Sequence, residues 1–400
     1  MLSENRRSNA HVDWPLIILA FALAIFGVLA ISVASFSTTS DSSAPLLNQI
    51  VNSTYSMRQT IFLLLAPIVV IVMMVLPSGM LKRRANLFYY ISIGMLFVVT
   101  LTNGAEGVKA WVDILWDYTI QPSEFAKIFF ILMLAKTLAK TDRPMSNRKE
   151  FIQIILLLVW PAIAIMSQGE MGTLIVMVFI FAVMLFFGNV SLKLLGTFLA
   201  IGIIAIAAIY FFSVASGIDD YRLNRILAFF NPEFYSQNAA YQQSQSKLAI
   251  GSGGLHGIGM YVDGAIYQLN YVPADWTDFI FSSIGEAYGF IGCIAITITY
   301  MLLILRMLYL AAYTKDRFGQ LVIIGVMAMF LYHIFQNIAM TIGLMPITGI
   351  PLPFLSYGGS NMISNMACIG IVLNITKNRS LAQSFETPQM SLRGRYFGET

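Results

Sequence analysis

The chain has 400 residues, of which 58% are hydrophobic, 13% aromatic and only 11% charged. Soluble domains carry about 25% charged residues, so this composition excludes a soluble enzyme, a nucleic-acid binder and a disordered scaffold. The net charge of +4 is no basic-protein signal here, because in so apolar a chain charge acts through its position along the sequence.

A helix needs about 20 apolar residues to cross a bilayer. Runs of that kind predict an all-α, polytopic integral membrane protein with ten transmembrane helices. They lie near 15–35, 59–77, 86–102, 122–140, 151–166, 172–188, 193–216, 279–310, 319–343 and 360–376. The first run exceeds the apolar core of a secretory signal and further spans follow it, so it reads as a retained helix. A single ten-helix domain is expected over 1–376 and a cytoplasmic tail over 377–400. If Arg6 and Arg7 are cytoplasmic, the basic residues of alternate loops fall on one side: Lys82-Arg83-Arg84, the cluster over 136–149, Lys193, the cluster over 306–317, and the tail. Eighteen of the 24 Lys and Arg lie there against 7 of the 20 Asp and Glu, a net +11, which leaves −7 for the outer loops and spans. Both termini are therefore expected inside. Cys293 and Cys368 lie in apolar runs and read as packing residues. Two thiols and three scattered histidines build no disulfide framework or metal cluster.

Along the chain, chemistry-bearing residues collect at the outer ends of the spans. The fourth span opens with Gln121-Pro122-Ser123-Glu124, and Glu124 and Lys127 share a helix face at i, i+3. Gln168-Gly169-Glu170-Met171-Gly172-Thr173 opens the sixth span at the same level and offers Lys127 a second acid. An ion pair is expected from Lys127 to Glu124, Glu170 or both. A long extracytoplasmic loop over 217–278 follows, too rich in Tyr and Phe for disorder and too long for a plain connection. Its Arg222, Arg225 and Lys247 are scarce cations on an acidic outer surface, suited to an anionic ligand or to pairing with Asp219, Asp220 or Glu233. Five glycines within 251–259 can present backbone N–H groups to a phosphate, although a turn-rich loop explains them better in isolation.

The loop ends in Tyr271-Val272-Pro273-Ala274-Asp275-Trp276-Thr277-Asp278-Phe279, at the head of the eighth span. Thr277 or Asp278 can cap that helix for about 1 kcal/mol. Eight residues on, a continuous helix would carry Glu286 about 12 Å deeper, where a carboxylate normally faces a polar path or an ion pair. Together Asp278 and Glu286 point to a site, while Gly285, Gly289 and Gly292 suit helix packing. Before the last span, residues 346–360 hold three prolines, and such irregular backbone survives near membrane depth only inside protein or beside a water-filled cavity.

Five of these motifs in order (Gln121-Pro122-Ser123-Glu124; Arg225 to Asn231-Pro232; Tyr241-Gln242 to Gly251-Ser252-Gly253-Gly254; Thr277-Asp278-Phe279 with Glu286; Leu352-Pro353-Phe354-Leu355-Ser356-Tyr357-Gly358-Gly359-Ser360) resemble the SEDS family of bacterial cell-wall proteins over nearly the whole chain. Gly349-Ile350-Pro351 and Asp13-Trp14 are closer to its elongation branch, RodA, than to its division branch, FtsW. The resemblance implies a peptidoglycan glycosyltransferase in the bacterial cytoplasmic membrane. Such an enzyme polymerises lipid II on the outer face and works with a class B penicillin-binding protein. The family's Gly-x-x-Arg-Trp stands here as Gly107-Val108-Lys109-Ala110-Trp111, so Lys109 takes the place of the arginine. Its Pro-Asp-x-Gly-Thr stands as Gly169-Glu170-Met171-Gly172-Thr173.

On this reading Asp278 is the catalytic base for an inverting transfer with an undecaprenyl-pyrophosphate leaving group. Arg225, Lys247, Lys109, Trp111, Ser356 and Ser360 are candidate substrate-binding residues. Glu124, Lys127, Glu170 and Glu286 are expected to form structural or site-tuning ion pairs. A divalent cation, magnesium or manganese, is the candidate cofactor, with no cation site legible in the sequence. The alternative is a flippase that moves the lipid-linked precursor without bond chemistry.

Overall fold

The computed structural model describes residues 12–36, 44–101, 110–115, 118–141, 144–198, 200, 229, 239–269, 271–273 and 275–383. Their helices are α1 (Trp14–Ala34), α2 (Leu46–Asn52), α3 (Thr54–Val75), α4 (Ser78–Thr100), α5 (Pro122–Leu138), α6 (Arg148–Gln168), α7 (Met171–Phe187), α8 (Ala239–Ser252), α9 (Ile280–Ala312), α10 (Arg317–Thr341) and α11 (Gly359–Gln383). A two-stranded antiparallel hairpin, β1 (Val112–Leu115) and β2 (Tyr118–Ile120), precedes α5. Five helices, α1, α3, α6, α9 and α10, are long and apolar enough to cross a membrane.

The helix ends follow from local chemistry. Asp13 caps α1, its Oδ1 accepting from the Leu16 N–H at 3.1 Å, with Pro15 beginning the helix. The same carboxylate takes Arg306 from the far end of α9 in a two-pronged pair, Nε at 3.0 Å and Nη2 at 2.7 Å. One acid thus caps α1 and ties it to α9. Asp316 caps α10 through the Gly319 N–H at 3.0 Å. The α4 helix starts at Ser78, so Lys82-Arg83-Arg84, expected in a loop, lie within it. Pro77 sets the start, and the long Lys and Arg stems let the charged heads leave the apolar layer. Lys82 Nζ lies 5.6 Å from the ring centre of Phe318 at the head of α10.

The α10 helix is the central post, packed against α9, α7 and α5, with α11 packed on α3 and α1 on α9. Most of its residues are buried, which suits a helix surrounded by protein on all sides. The α3 helix is largely exposed along an apolar surface, as expected of one facing lipid. Of the expected spans, the one near 193–216 falls mostly outside the described residues. The loop expected over 217–278 is not featureless, since α8 lies within it. That helix docks on the end of α10: Gln243 Nε2 donates to the carbonyls of Met340 (3.1 Å) and Met345 (2.9 Å), and Ser246 Oγ to Thr341 (2.9 Å).

Candidate active site at the head of the ninth helix

The turn bearing Asp278 is held by its carbonyls. The Tyr357 N–H donates to Trp276 O at 2.9 Å, Ser356 Oγ donates to Thr277 O at 2.6 Å, and Asn337 Nδ2 donates to Asp278 O at 2.8 Å. Asn337 also donates to Ile350 O at 2.8 Å, and Ser356 Oγ accepts from the Leu352 N–H at 2.8 Å, so the turn and the proline-rich loop are one hydrogen-bonded unit. Gln59 on α3 joins it, donating to Ser356 O and accepting from the Gly358 N–H. Tyr55 stacks on Trp276 with ring centres 4.6 Å apart. Leu352, Phe354, Leu355 and Ser356 have no exposed surface, which is how backbone this irregular is tolerated. Phe354 has a φ of 66°, a conformation its side chain disfavours, and is held there by Phe330 and by Tyr300, which donates to Pro353 O.

The N-cap of α9 is Phe279, whose side chain cannot accept a hydrogen bond from the helix. Asp278 therefore precedes the cap position, half-buried at the mouth of the turn. The helix also breaks within: Gly289 has φ 66° and ψ −165°. The backbone groups freed by the break pair with the glycine-rich segment. Ile258 and Gly259 N–H donate to the carbonyls of Glu286 and Ala287 (2.9 and 3.1 Å), and Phe290 and Ile291 N–H to those of Gly254 and Leu255 (2.9 and 3.2 Å). A Cβ on Gly253 would lie 2.0 Å from Gly285 O, and one on Gly257 2.2 Å from Ala287 O. The segment thus fills a gap in a broken helix and does not cradle a phosphate, and Gly285 and Gly289 serve that join.

Glu286 is completely buried at the same join, its carboxylate accepting from the Ile266 N–H at 2.7 Å and the Tyr267 N–H at 3.0 Å. Its partners among the described residues are backbone amides, so there it serves as an anchor for the loop. The break at Gly289 comes after Glu286, and residues 290–312 make roughly 35 Å by themselves, enough for the apolar layer.

Beside the turn, Lys127 Nζ lies 2.8 Å from Glu124 Oε1 and 3.1 Å from His333 Nε2, and Ser364 Oγ donates to Glu124 Oε2 at 3.2 Å. Lys127 and Glu124 are buried, and this pair joins α5, α10 and α11. Removing one partner of a buried pair costs roughly 3–5 kcal/mol. The second partner of Lys127 is His333, and Glu170 instead takes a hydrogen bond from Gln121 Nε2. Burial pushes the Glu170 carboxyl up to about 7, with Glu124 adding to the shift. Because the Gln121 N–H also donates to Ser360 Oγ at 3.0 Å, the N-termini of α5, α7, α9 and α11 gather around the proline-rich loop. Converging N-termini offer a positive field to an anion.

The predicted binding residues separate. Ser356 and Ser360 are buried and bonded to backbone. Trp111 is exposed at the start of the hairpin, and Lys247 is exposed on α8 with its stem over Gly343. Lys109, Arg222 and Arg225 lie outside the described residues. Sequence reasoning missed Asp275, Gln59, His333 and Asn337. For the last two a signal existed: His333, Gln336 and Asn337 put polar groups at i, i+3 and i+4 within an apolar helix, which marks an inward face.

Residues 13–381 match the model of the FtsW, RodA and SpoVE family, described as cell cycle protein. The chain is 34% identical over 315 residues to the peptidoglycan glycosyltransferase MrdB of Escherichia coli strain K12, covering 78% of this chain and 83% of that one. It is 32% identical to a probable peptidoglycan glycosyltransferase FtsW of Trichlorobacter lovleyi, covering 93% and 95%. A chain from a solved peptidoglycan synthase complex, described for its coordination of polymerization and crosslinking, matches with a TM-score of 0.74 at 24% identity, over 92% of this chain and 98% of that one.

Proposed function

This chain belongs to the FtsW, RodA and SpoVE family of cell cycle proteins, known as SEDS, and from that membership we propose that it is a peptidoglycan glycosyltransferase with its active site around Asp278. It polymerises lipid II into glycan strands at the outer face of the bacterial cytoplasmic membrane. The observation that carries this reading is the Asp278 turn, clamped by three carbonyl hydrogen bonds while its carboxylate stands ahead of the helix cap. A sugar hydroxyl is a weak nucleophile, and a positioned carboxylate accepting its proton contributes roughly 10²–10⁴-fold. Rigid placement of that carboxylate is what the clamp supplies.

The leaving pyrophosphate departs as an anion, and the gathered N-termini of α5, α7, α9 and α11 favour negative charge there. Arg225, Lys247 and Lys109 are proposed to approach the same anion from the outer loops. The described residues gather no three His, Cys, Asp or Glu side chains able to hold a metal, so no step here runs through one. A divalent cation is proposed to come in with the pyrophosphate, whose charge it would neutralise. Ten spans with both termini inside suit the distribution of basic residues. A class B penicillin-binding protein is the proposed partner, because the complex matched by this fold is described as coordinating polymerization with crosslinking.

Purified protein given labelled lipid II and a divalent cation is expected to make glycan strands without any ion gradient and in the presence of a beta-lactam. Asp278→Asn should abolish polymer while leaving thermal stability at the parental value. Lipid movement that depends on a gradient and yields no polymer would establish a flippase. A broken helix is a transporter feature, but the groups freed at Gly289 are taken up by residues 254–259 and not by a substrate cavity.

A further inference from the structure

Asp275 sits three residues before Asp278 and has no exposed surface. Its Oδ2 accepts from Ser283 Oγ, one turn inside α9, at 3.3 Å, and its Oδ1 makes no hydrogen bond to a described residue. The charged side chain acting on it is Glu286 of the same helix, which repels a second negative charge. Burial holds the Asp275 carboxyl well above the usual carboxylate range; the Ser283 and Trp276 hydrogen bonds pull the other way, and Glu286 adds a smaller push upward. The proton transfer assigned to Asp278 gives this second carboxyl no task.

Its place suggests one. The carbonyls of residues 276, 277 and 278 are gripped from α10 and the proline-rich loop, which fixes one side of the turn. The other side faces α9, and there the contact from the turn to the helix is Asp275 to Ser283. Asp275 opens and Asp278 closes the stretch held by these two attachments. We propose that Asp275, gripped by Ser283, is a positioning residue that fixes the height and direction of Asp278; this rests on the reading of Asp278 as the catalytic base. An apolar residue in its place would leave the turn attached on one side only, and Ser283 would lose its acceptor.

The test uses the full chain, purified and assayed with lipid II, alongside thermal stability of each variant. Asp275→Asn keeps the size and an acceptor for Ser283, so it should retain near-parental activity. Asp275→Leu should lower kcat by on the order of 10²-fold with KM for lipid II little changed, the loss expected when a reacting group is displaced by about 1 Å. Ser283→Ala should show a smaller fall in kcat, and the double variant should be no worse than Asp275→Leu alone. Two results would overturn the proposal: Asp275→Leu with parental kcat, or Asp275→Asn as inactive as Asp278→Asn at parental thermal stability, which would give the Asp275 proton a role in the chemistry itself. If Asp275→Leu does not fold, Ser283→Ala decides: reduced kcat at parental stability supports the grip, and parental kcat overturns it. Failure of the Asp278 reading is a separate result, polymer made by Asp278→Asn.

Discussion

Glu170 stands at the head of α7, partly buried, with Gln121 donating to one oxygen and burial raising its carboxyl to about 7. Sequence reasoning paired Lys127 with Glu124, Glu170 or both, and a pairing with Glu170 would make its charge stabilising. The geometry reverses the sign. Between its ordinary value of 4.5 and about 7, the folded protein binds more protons at this group than the unfolded chain does, so its contribution to stability is full below 4.5 and declines as pH rises through 7. Melting temperature is therefore expected to fall between about pH 5 and 8 in the parent, and Glu170→Gln should flatten that part of the profile. A glutamine keeps the acceptor for Gln121 and carries no charge to desolvate, so the variant should be at least as stable as the parent above pH 7. If Glu170→Gln were instead less stable there, Glu170 would be working as an ion-pair partner.

At the scale of elements, the long apolar helices were legible because apolar run length is a strong signal, whereas α2 and α8 fall on no expected span and α4 starts eight residues before its own. What the runs hide is the interruption of α9. Gly285, Gly289 and Gly292 occur in an otherwise apolar stretch, and hydropathy does not distinguish a glycine that admits a neighbouring helix from one that adopts a positive φ. The partner for the freed backbone, residues 254–259, lies about 30 positions away in sequence, so no local pattern reveals the join. It does make a sharp prediction. Gly257→Ala, with positive φ and Ala287 O 2.2 Å from the new Cβ, should fall in the rare class of substitutions costing about 4 kcal/mol or more, and Gly253→Ala should be similar. Gly251→Ala, within α8 and with nothing inside 4 Å, should raise stability by about 0.5–1 kcal/mol. Melting curves of the three variants check this. Equal and small effects at all three positions would mean that the segment is an open loop, as a phosphate cradle would be.

For the molecule as a whole, charge is what would set the side of the membrane on which Asp278 is proposed to work. The turn proposed as catalytic stands out in the sequence as Thr277-Asp278 before a span, while its support does not: Asn337, Ser356 and Gln59 come from three distant segments, and only the fold brings them together. Orientation, by contrast, is a property of the whole sequence, because each basic loop adds to the same bias. With a net +11 on one side, reversing the protein would carry that charge across the membrane against its potential, at about 2.3 kcal/mol per charge per 100 mV. Single cysteines can read the result, since the native Cys293 and Cys368 are buried and provide a quiet background. Leu255→Cys, exposed in the segment beside the broken helix, should react with a membrane-impermeant maleimide in cells whose outer envelope has been opened. Arg84→Cys, exposed near the start of α4, should react only after the cytoplasmic membrane is permeabilised. The opposite pattern would place the Asp278 turn on the cytoplasmic side, where a base for extending strands outside the membrane has no substrate, and the glycosyltransferase reading would then fail together with the orientation.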